Sequence, residues 1–175
     1  MPADSNFFKK FPNNYFIESG TYIGTGCEQA ILANFKNIYS FEINPQYHTQ
    51  AKQNLSKHPK VKLFLGDTTK LLWDVIKDIN DQITFWLDGH YFLPEDVPMG
   101  QKVSTIEEEL AIIAQHPVKT HIILIDDVRL WASDYKIDKN KIAEIIKKNN
   151  SNYGITFETG HATLPNDILV AKVYA

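Results

Sequence analysis

A single cysteine, Cys27, and a single arginine, Arg129, are the scarcest chemistry in this 175-residue chain, and the cysteine count already excludes a structural class. One cysteine cannot close an internal disulfide, and no cysteine/histidine cluster has zinc spacing, so a reducing, cytoplasmic setting is expected. Long apolar runs are missing as well. The longest aliphatic stretch, 122–125, is far too short for a bilayer, and the N-terminal MPADSNFFKKFPNN holds no apolar segment of signal-peptide length. Charge of one sign is equally scarce: the formal net charge is −3 and no block of like charges occurs, which leaves neither a nucleic-acid patch nor an acidic tail. The expected partner is a small molecule, with no membrane or nucleic acid. Repeats and low-complexity segments do not occur. With 43% apolar residues the chain can bury one core, so 1–175 is expected to form one domain, with 1–14 as an N-terminal extension.

What is present is a regular alternation. Short β-branched or aromatic runs, Tyr15–Ser19, Ile38–Ile43, Val61–Leu65, Ile83–Leu87, His121–Ile125, Ile155–Glu158 and Ile168–Val173, read as strands. An amphipathic segment follows each of the first five. Their expected starts are Thr25 boxed with Glu28, Asn44 before Pro45, Asp67, Thr105 boxed with Glu108, and Asp138. Each strand followed by a helix makes a parallel βαβ unit. The last two strands have only TGHATLPND between them, with no room for a helix, so they must pair antiparallel. The expected architecture is a doubly wound, seven-stranded α/β sheet, mostly parallel, with a C-terminal antiparallel hairpin and helices on both faces.

In such a sheet ligands bind beyond the carboxyl ends of the strands. The first of these turns reads FIESGTYIGTG, in which Glu18 precedes Gly20, Gly24 and Gly26. A carboxylate there would repel a pyrophosphate but suits a cationic ligand. The spacing also departs from the G-x-G-x-x-G of dinucleotide folds. Glu42, 22 residues after Gly20, is placed to grip ribose hydroxyls, or else only precedes the Asn44 cap. Asp67 in LGDTT fits two roles that can coexist, a cap on the next helix and an acceptor for an adenine amino group, with Gly66 giving room to the ring.

Taken together, FIESGTYIGTG, SFEINP, LGDTT and FWLDGH resemble the successive motifs of class I S-adenosylmethionine-dependent methyltransferases, whose fold is Rossmann-like, and the resemblance covers nearly the whole chain. It implies S-adenosyl-L-methionine as cofactor. Glu18, Gly20, Thr21, Tyr22 and Gly24 would surround the methionyl part, Glu42 the ribose, Gly66 and Asp67 the adenine, and Asp88 the transferred methyl. FWLDGHY and ILIDDVRLW further resemble metal-dependent O-methyltransferases, in particular the macrocin-type sugar enzymes and more loosely the catechol type. That likeness implies a divalent ion, Mg2+, held by Asp88, Asp126 and Asp127, and a sugar or other small hydroxylated acceptor. His90, two residues beyond Asp88, is then the candidate general base, and the proline-bearing segment 91–103 a loop that closes over the acceptor. Arg129 and His161 are further candidates for acceptor contact, or surface residues. Trp86 and Trp131 are expected to pack rather than form a cage.

One departure matters. Macrocin-type enzymes usually carry extra N-terminal helices that shape the acceptor site, whereas about fourteen residues precede the first strand here. Either the site is open to a larger substrate or a partner subunit, as in a homodimer, completes it. A metal-independent N- or carboxyl methyltransferase and a non-catalytic nucleotide-binding module remain alternatives, and a dehydrogenase fits least.

Overall fold

The computed structural model describes residues 3–89, 104–160 and 164–174. In chain order the elements are α1 (Ser5–Phe8), β1 (Tyr15–Ser19), α2 (Thr25–Leu32), β2 (Asn37–Glu42), α3 (Pro45–Asn54), β3 (Val61–Leu65), α4 (Thr68–Ile76), β4 (Ile83–Leu87), α5 (Ile106–Ile113), β5 (Ile122–Ile125), α6 (Lys139–Asn149), β6 (Tyr153–Glu158) and β7 (Ile168–Val173). A 3-10 turn, Val128–Leu130, and a π turn, Trp131–Tyr135, lie between β5 and α6. The strands form one sheet in the order β3-β2-β1-β4-β5-β7-β6. The pairs among β1 to β5 are parallel, while β7 runs antiparallel to both β5 and β6. The doubly wound sheet with its terminal hairpin is therefore as the alternation of segments predicts.

Successive strand residues point to opposite faces, and here both faces are covered. Ile17, Phe85 and Ile123 join the apolar cluster that contains Leu72 of α4, Leu110 of α5 and Ile142 of α6. Their neighbours Phe16, Trp86 and Leu124 join the cluster with Phe8 of α1, Cys27 and Ala30 of α2, and Leu55. Trp86 and Trp131 are fully buried, which is the packing role expected of them.

Three helices start as their caps predict: Asn44 accepts from the Gln46 N–H, Asp67 from the Thr69 N–H, and Asp138 from the Asn140 N–H. Two do not. The residue before α2 is Gly24, left-handed at φ 99°, and Thr25 is the first helical residue with no capping box. Thr105 caps α5 without a side-chain bond to the helix, because its hydroxyl donates instead to the Gly89 carbonyl at 3.2 Å. The N-terminal extension also holds more structure than composition suggests. Asp4 caps α1 by accepting from the Phe7 N–H at 2.9 Å, and Phe8 meets Phe16 and Trp86 edge-on, each with ring centroids 5.1 Å apart. Among the described residues no helix is long and apolar enough to cross a membrane.

At the amino edge of the sheet two buried histidines form a chain. His121 Nδ1 accepts from the Ile83 N–H at 3.1 Å, so its proton sits on Nε2 and is donated to His116 Nδ1 at 2.9 Å. His116 Nδ1 also accepts from the Val118 N–H, which leaves His116 Nε2 to donate to the Ile76 carbonyl at 3.1 Å. Burial first, then the nearby His116 and Lys119, lowers the His121 pKa from 6.5 to about 3. The pair ties β4, β5 and the end of α4 together.

Candidate active site

The carboxyl ends of β1 to β5 are laced to one another by backbone hydrogen bonds. Gly20 and Thr21 N–H both donate to the Phe41 carbonyl at 3.0 Å, Gly66 N–H to the Glu42 carbonyl at 2.8 Å, Asp88 N–H to Ser19 at 3.2 Å, and Asp126 N–H to Leu87 at 3.2 Å. Parallel register puts these turns side by side: Ser19 pairs with Phe41 and with Leu87, Glu42 with Leu65, and Leu87 with Ile125. Gly20, Glu42, Gly66, Asp67, Asp88, Asp126 and Asp127 therefore share one edge of the sheet. The Gly20 turn is so close to the β4 turn that a Cβ on Gly20, which has φ +83°, would lie 2.5 Å from the Asp88 carbonyl oxygen.

Glu42 holds the first turn open. Its Oε2 accepts from the Tyr22 N–H at 2.7 Å and its Oε1 from the Asn44 N–H at 2.8 Å, while Tyr22 itself is left-handed at φ 50°. The Tyr22 ring lies over the solvent side and meets Tyr47 with centroids 4.6 Å apart. Glu18 lies beneath the glycine turn, 1% exposed, where its Oε2 accepts from Ser40 Oγ at 2.6 Å and from Cys27 Sγ at 3.1 Å. Ser40 in turn meets Thr21 Oγ1 at 2.6 Å. Asp67 spends one oxygen on Thr69 as the cap of α4 and turns the other towards Lys70 at 3.5 Å.

No protein-family model and no curated relative matches the sequence. Solved structures do match in fold. The O-methyltransferase TomG of Streptomyces achromogenes, involved in tomaymycin synthesis and determined with S-adenosylmethionine, superposes with a TM-score of 0.68 at 12% identity, over 98% of this chain and 78% of that one. An O-methyltransferase of Bacillus cereus with S-adenosylhomocysteine gives 0.65 at 11% identity, over 97% and 78% of the two chains. The N-methyltransferase NodS of Bradyrhizobium japonicum gives 0.55 at 10% identity, over 94% and 86%. The chain has the class I methyltransferase fold.

Within that fold the edge gathers buried carboxyls. Burial, followed by the charges of Asp126, Asp127 and Glu18, pushes the Asp88 carboxyl well above the usual carboxylate range. Asp126 is pushed up to about 7 by burial and then by Asp127. Burial raises Glu18 to about 7 against the opposing bonds from Ser40 and Cys27. Glu109 of α5, beneath the Ser19 and Gly89 turn, is also raised to about 7 by burial, against the opposing effect of the Thr105 and Ser19 hydroxyls. Crowded, buried carboxyls of this kind favour a cationic ligand.

The acidic cluster overlaps the residues for which the motifs imply a metal role. The carboxylates whose oxygens lie within 4.8 Å of one another are Asp126, Asp127 and Asp167; among the described residues Asp88 is not in that set, although it feels the charges of Asp126 and Asp127. Asp167 was not singled out by the sequence because it precedes β7, an antiparallel strand whose first residue lies at the carboxyl edge of its parallel neighbours. The set also contains a cation of its own. Arg129 Nη1 contacts Asp127 Oδ1 at 2.6 Å and pairs with Asp167 Oδ2, its N–H donates to Asp167 Oδ1 at 2.8 Å, and Tyr135 donates to Asp127 Oδ2 at 3.3 Å. At least four of the six oxygens thus already accept hydrogen bonds from the described residues, and a divalent ion between them would meet the guanidinium. As arranged, these residues do not fit Mg2+.

His90, His161 and the segment 91–103 lie outside the described residues.

These shifts set a pH profile for the free protein. Glu18 and Glu109 keep their protons up to about 7 when folded but release them near 4.5 when unfolded, so their contribution to stability is lost as pH rises between those values. His121 acts oppositely: the unfolded chain takes its proton below about 6.5 and the folded one near 3, so that contribution is lost as pH falls. Two carboxyls outweigh one histidine between these limits. Chemical denaturation should therefore find the ligand-free protein more stable at pH 5 than at pH 7, with the trend reversing below pH 4; a rise from pH 5 to pH 7 would contradict these assignments.

Proposed function

We propose that this chain is an S-adenosylmethionine-dependent methyltransferase acting on a hydroxyl of a small molecule, with a sugar or glycoside as the acceptor class favoured by the sequence resemblance. The observation that supports this most is the lacing of separate strand-end turns into one acidic edge. Glycines at positive φ leave backbone open to close approach there, and buried carboxyls crowd together at the same edge. Both features fit a ligand bearing an ammonium and a sulfonium.

S-adenosylmethionine, when bound, supplies an electrophilic methyl carbon on a sulfonium sulfur. On this reading Gly20, Thr21, Tyr22 and Gly24 line the methionyl part. Glu18 braces that turn from below through Ser40 and Cys27 and contributes its charge at short range. Glu42 accepts from the ribose hydroxyls with the lone pairs that the Tyr22 and Asn44 N–H groups leave free. Gly66 and Asp67 flank the adenine, and Asp88 lies next to the transferred methyl. His90, two residues beyond Asp88, receives the proton of the acceptor hydroxyl, since a neutral imidazole has suitable basicity near pH 7.

Transfer of a labelled methyl group to a panel of sugars, catechols and amines tests the reading. His90→Ala should bind S-adenosylhomocysteine as the parent does while losing turnover by about a hundredfold or more. Unchanged turnover removes His90 as the base. Methylation of amines alone would shift the reading to an N-methyltransferase, and binding without transfer to any acceptor would leave a nucleotide-binding module.

A further inference from the structure

The only arginine of the chain reaches into the cluster of Asp126, Asp127 and Asp167. Position, not abundance, gives it meaning. Arg129 follows Asp127, a residue held left-handed at φ 57°, and that turn directs the arginine side chain back across the cluster. Asp167 then anchors it twice, accepting from the Arg129 backbone N–H at 2.8 Å and from Nη1, while the Val128 N–H donates to the Asp167 carbonyl at 2.9 Å. The third anchor is Asp127 Oδ1 at 2.6 Å. A guanidinium is planar, permanently charged and able to bridge two carboxylates, which suits it to a fixed place between buried acids.

We infer that Arg129 is the resident cation of this acidic edge, standing between Asp127 and Asp167 where a divalent ion would otherwise sit, so that the site works with the charge of its own side chain. The inference rests on the methyltransferase reading for the use of the site, but not for the identity of the cation. Its consequence for the chemistry is that Arg129 is a positioning residue. It holds the turn after β5 against the start of β7 and offsets two of the carboxylates, Asp127 and Asp167.

Mn2+ is the probe, because its electron paramagnetic resonance signal reports free ion directly. The parent protein should take up no Mn2+ in the micromolar range. Arg129→Gln removes the charge but keeps the length of a polar side chain, and it should acquire one Mn2+ with affinity tighter than the parent by on the order of a hundredfold. Arg129→Lys retains the charge and should behave as the parent does. Uptake of one equivalent of micromolar Mn2+ by the parent would overturn the inference, and this arm needs no variant to fold. Failure of a folded Arg129→Gln to gain Mn2+ affinity would overturn it too, since an arginine with a purely structural role predicts no gain. Binding of S-adenosylhomocysteine, measured in parallel without metal, separates the two claims: its absence counts against the methyltransferase reading and leaves the Mn2+ result standing.

Discussion

Gly26→Ala should cost about 3 kcal/mol of folding stability, against the gain of about 1 kcal/mol that alanine ordinarily brings to a helix interior. Gly26 lies in the first turn of α2, where helix propensity alone would welcome a side chain. A Cβ at that position would overlap Glu18 Oε1. Either α2 lifts away from β1 or Glu18 abandons its bonds to Ser40 and Cys27 and is left buried without partners, and both are expensive. The cost belongs to the pair, so denaturant unfolding should show it largely vanish when Gly26→Ala is placed in a Glu18→Ala background. An additive double variant would show that Glu18 and Gly26 do not meet.

Glu42→Ala should weaken S-adenosylhomocysteine binding by about a hundredfold or more, because two hydrogen bonds to a charged acceptor are lost at once. The same substitution removes the acceptor of the Tyr22 and Asn44 N–H groups, so the glycine turn loses the brace that fixes Tyr22 at its positive φ. Glu42→Gln keeps only one acceptor oxygen and should fall between the two. Titration calorimetry reads all three, and equal affinity for the parent and Glu42→Ala would remove Glu42 from the site.

The parts of the structure that the sequence made legible are those with a local physical cause. Asn44-Pro45, Asp67 and Asp138 begin helices by bonds spanning two or three residues, and nothing distant competes with them. Thr25 and Thr105 look equivalent in sequence and fail for tertiary reasons: the Gly24 turn makes the entry to α2, and Gly89 captures the Thr105 hydroxyl. Phe7, Phe8 and Phe11 gave no periodic signal, since α1 is four residues long, and their burial depends on the β1 and β4 faces they cover.

The site divides along the same line. Gly20, Glu42, Gly66, Asp67 and Asp88 could be picked out because they close or directly follow the first four strands, and parallel register alone brings them to one edge. Asp167 and the inward course of Arg129 depend on an antiparallel strand and a left-handed residue, neither of which a count of spacings reveals. Ser40 and Cys27 read as ordinary core positions until Glu18 is seen to lie against them.

The central claim is that the carboxyl edge of β1 to β4 is a pocket for a sulfur-containing adenosyl amino acid. Isothermal titration of the purified chain with S-adenosylhomocysteine, and separately with NAD, tests it most directly. The account predicts one equivalent of S-adenosylhomocysteine bound with micromolar or tighter affinity and no heat from NAD; binding of NAD with S-adenosylhomocysteine silent would contradict it.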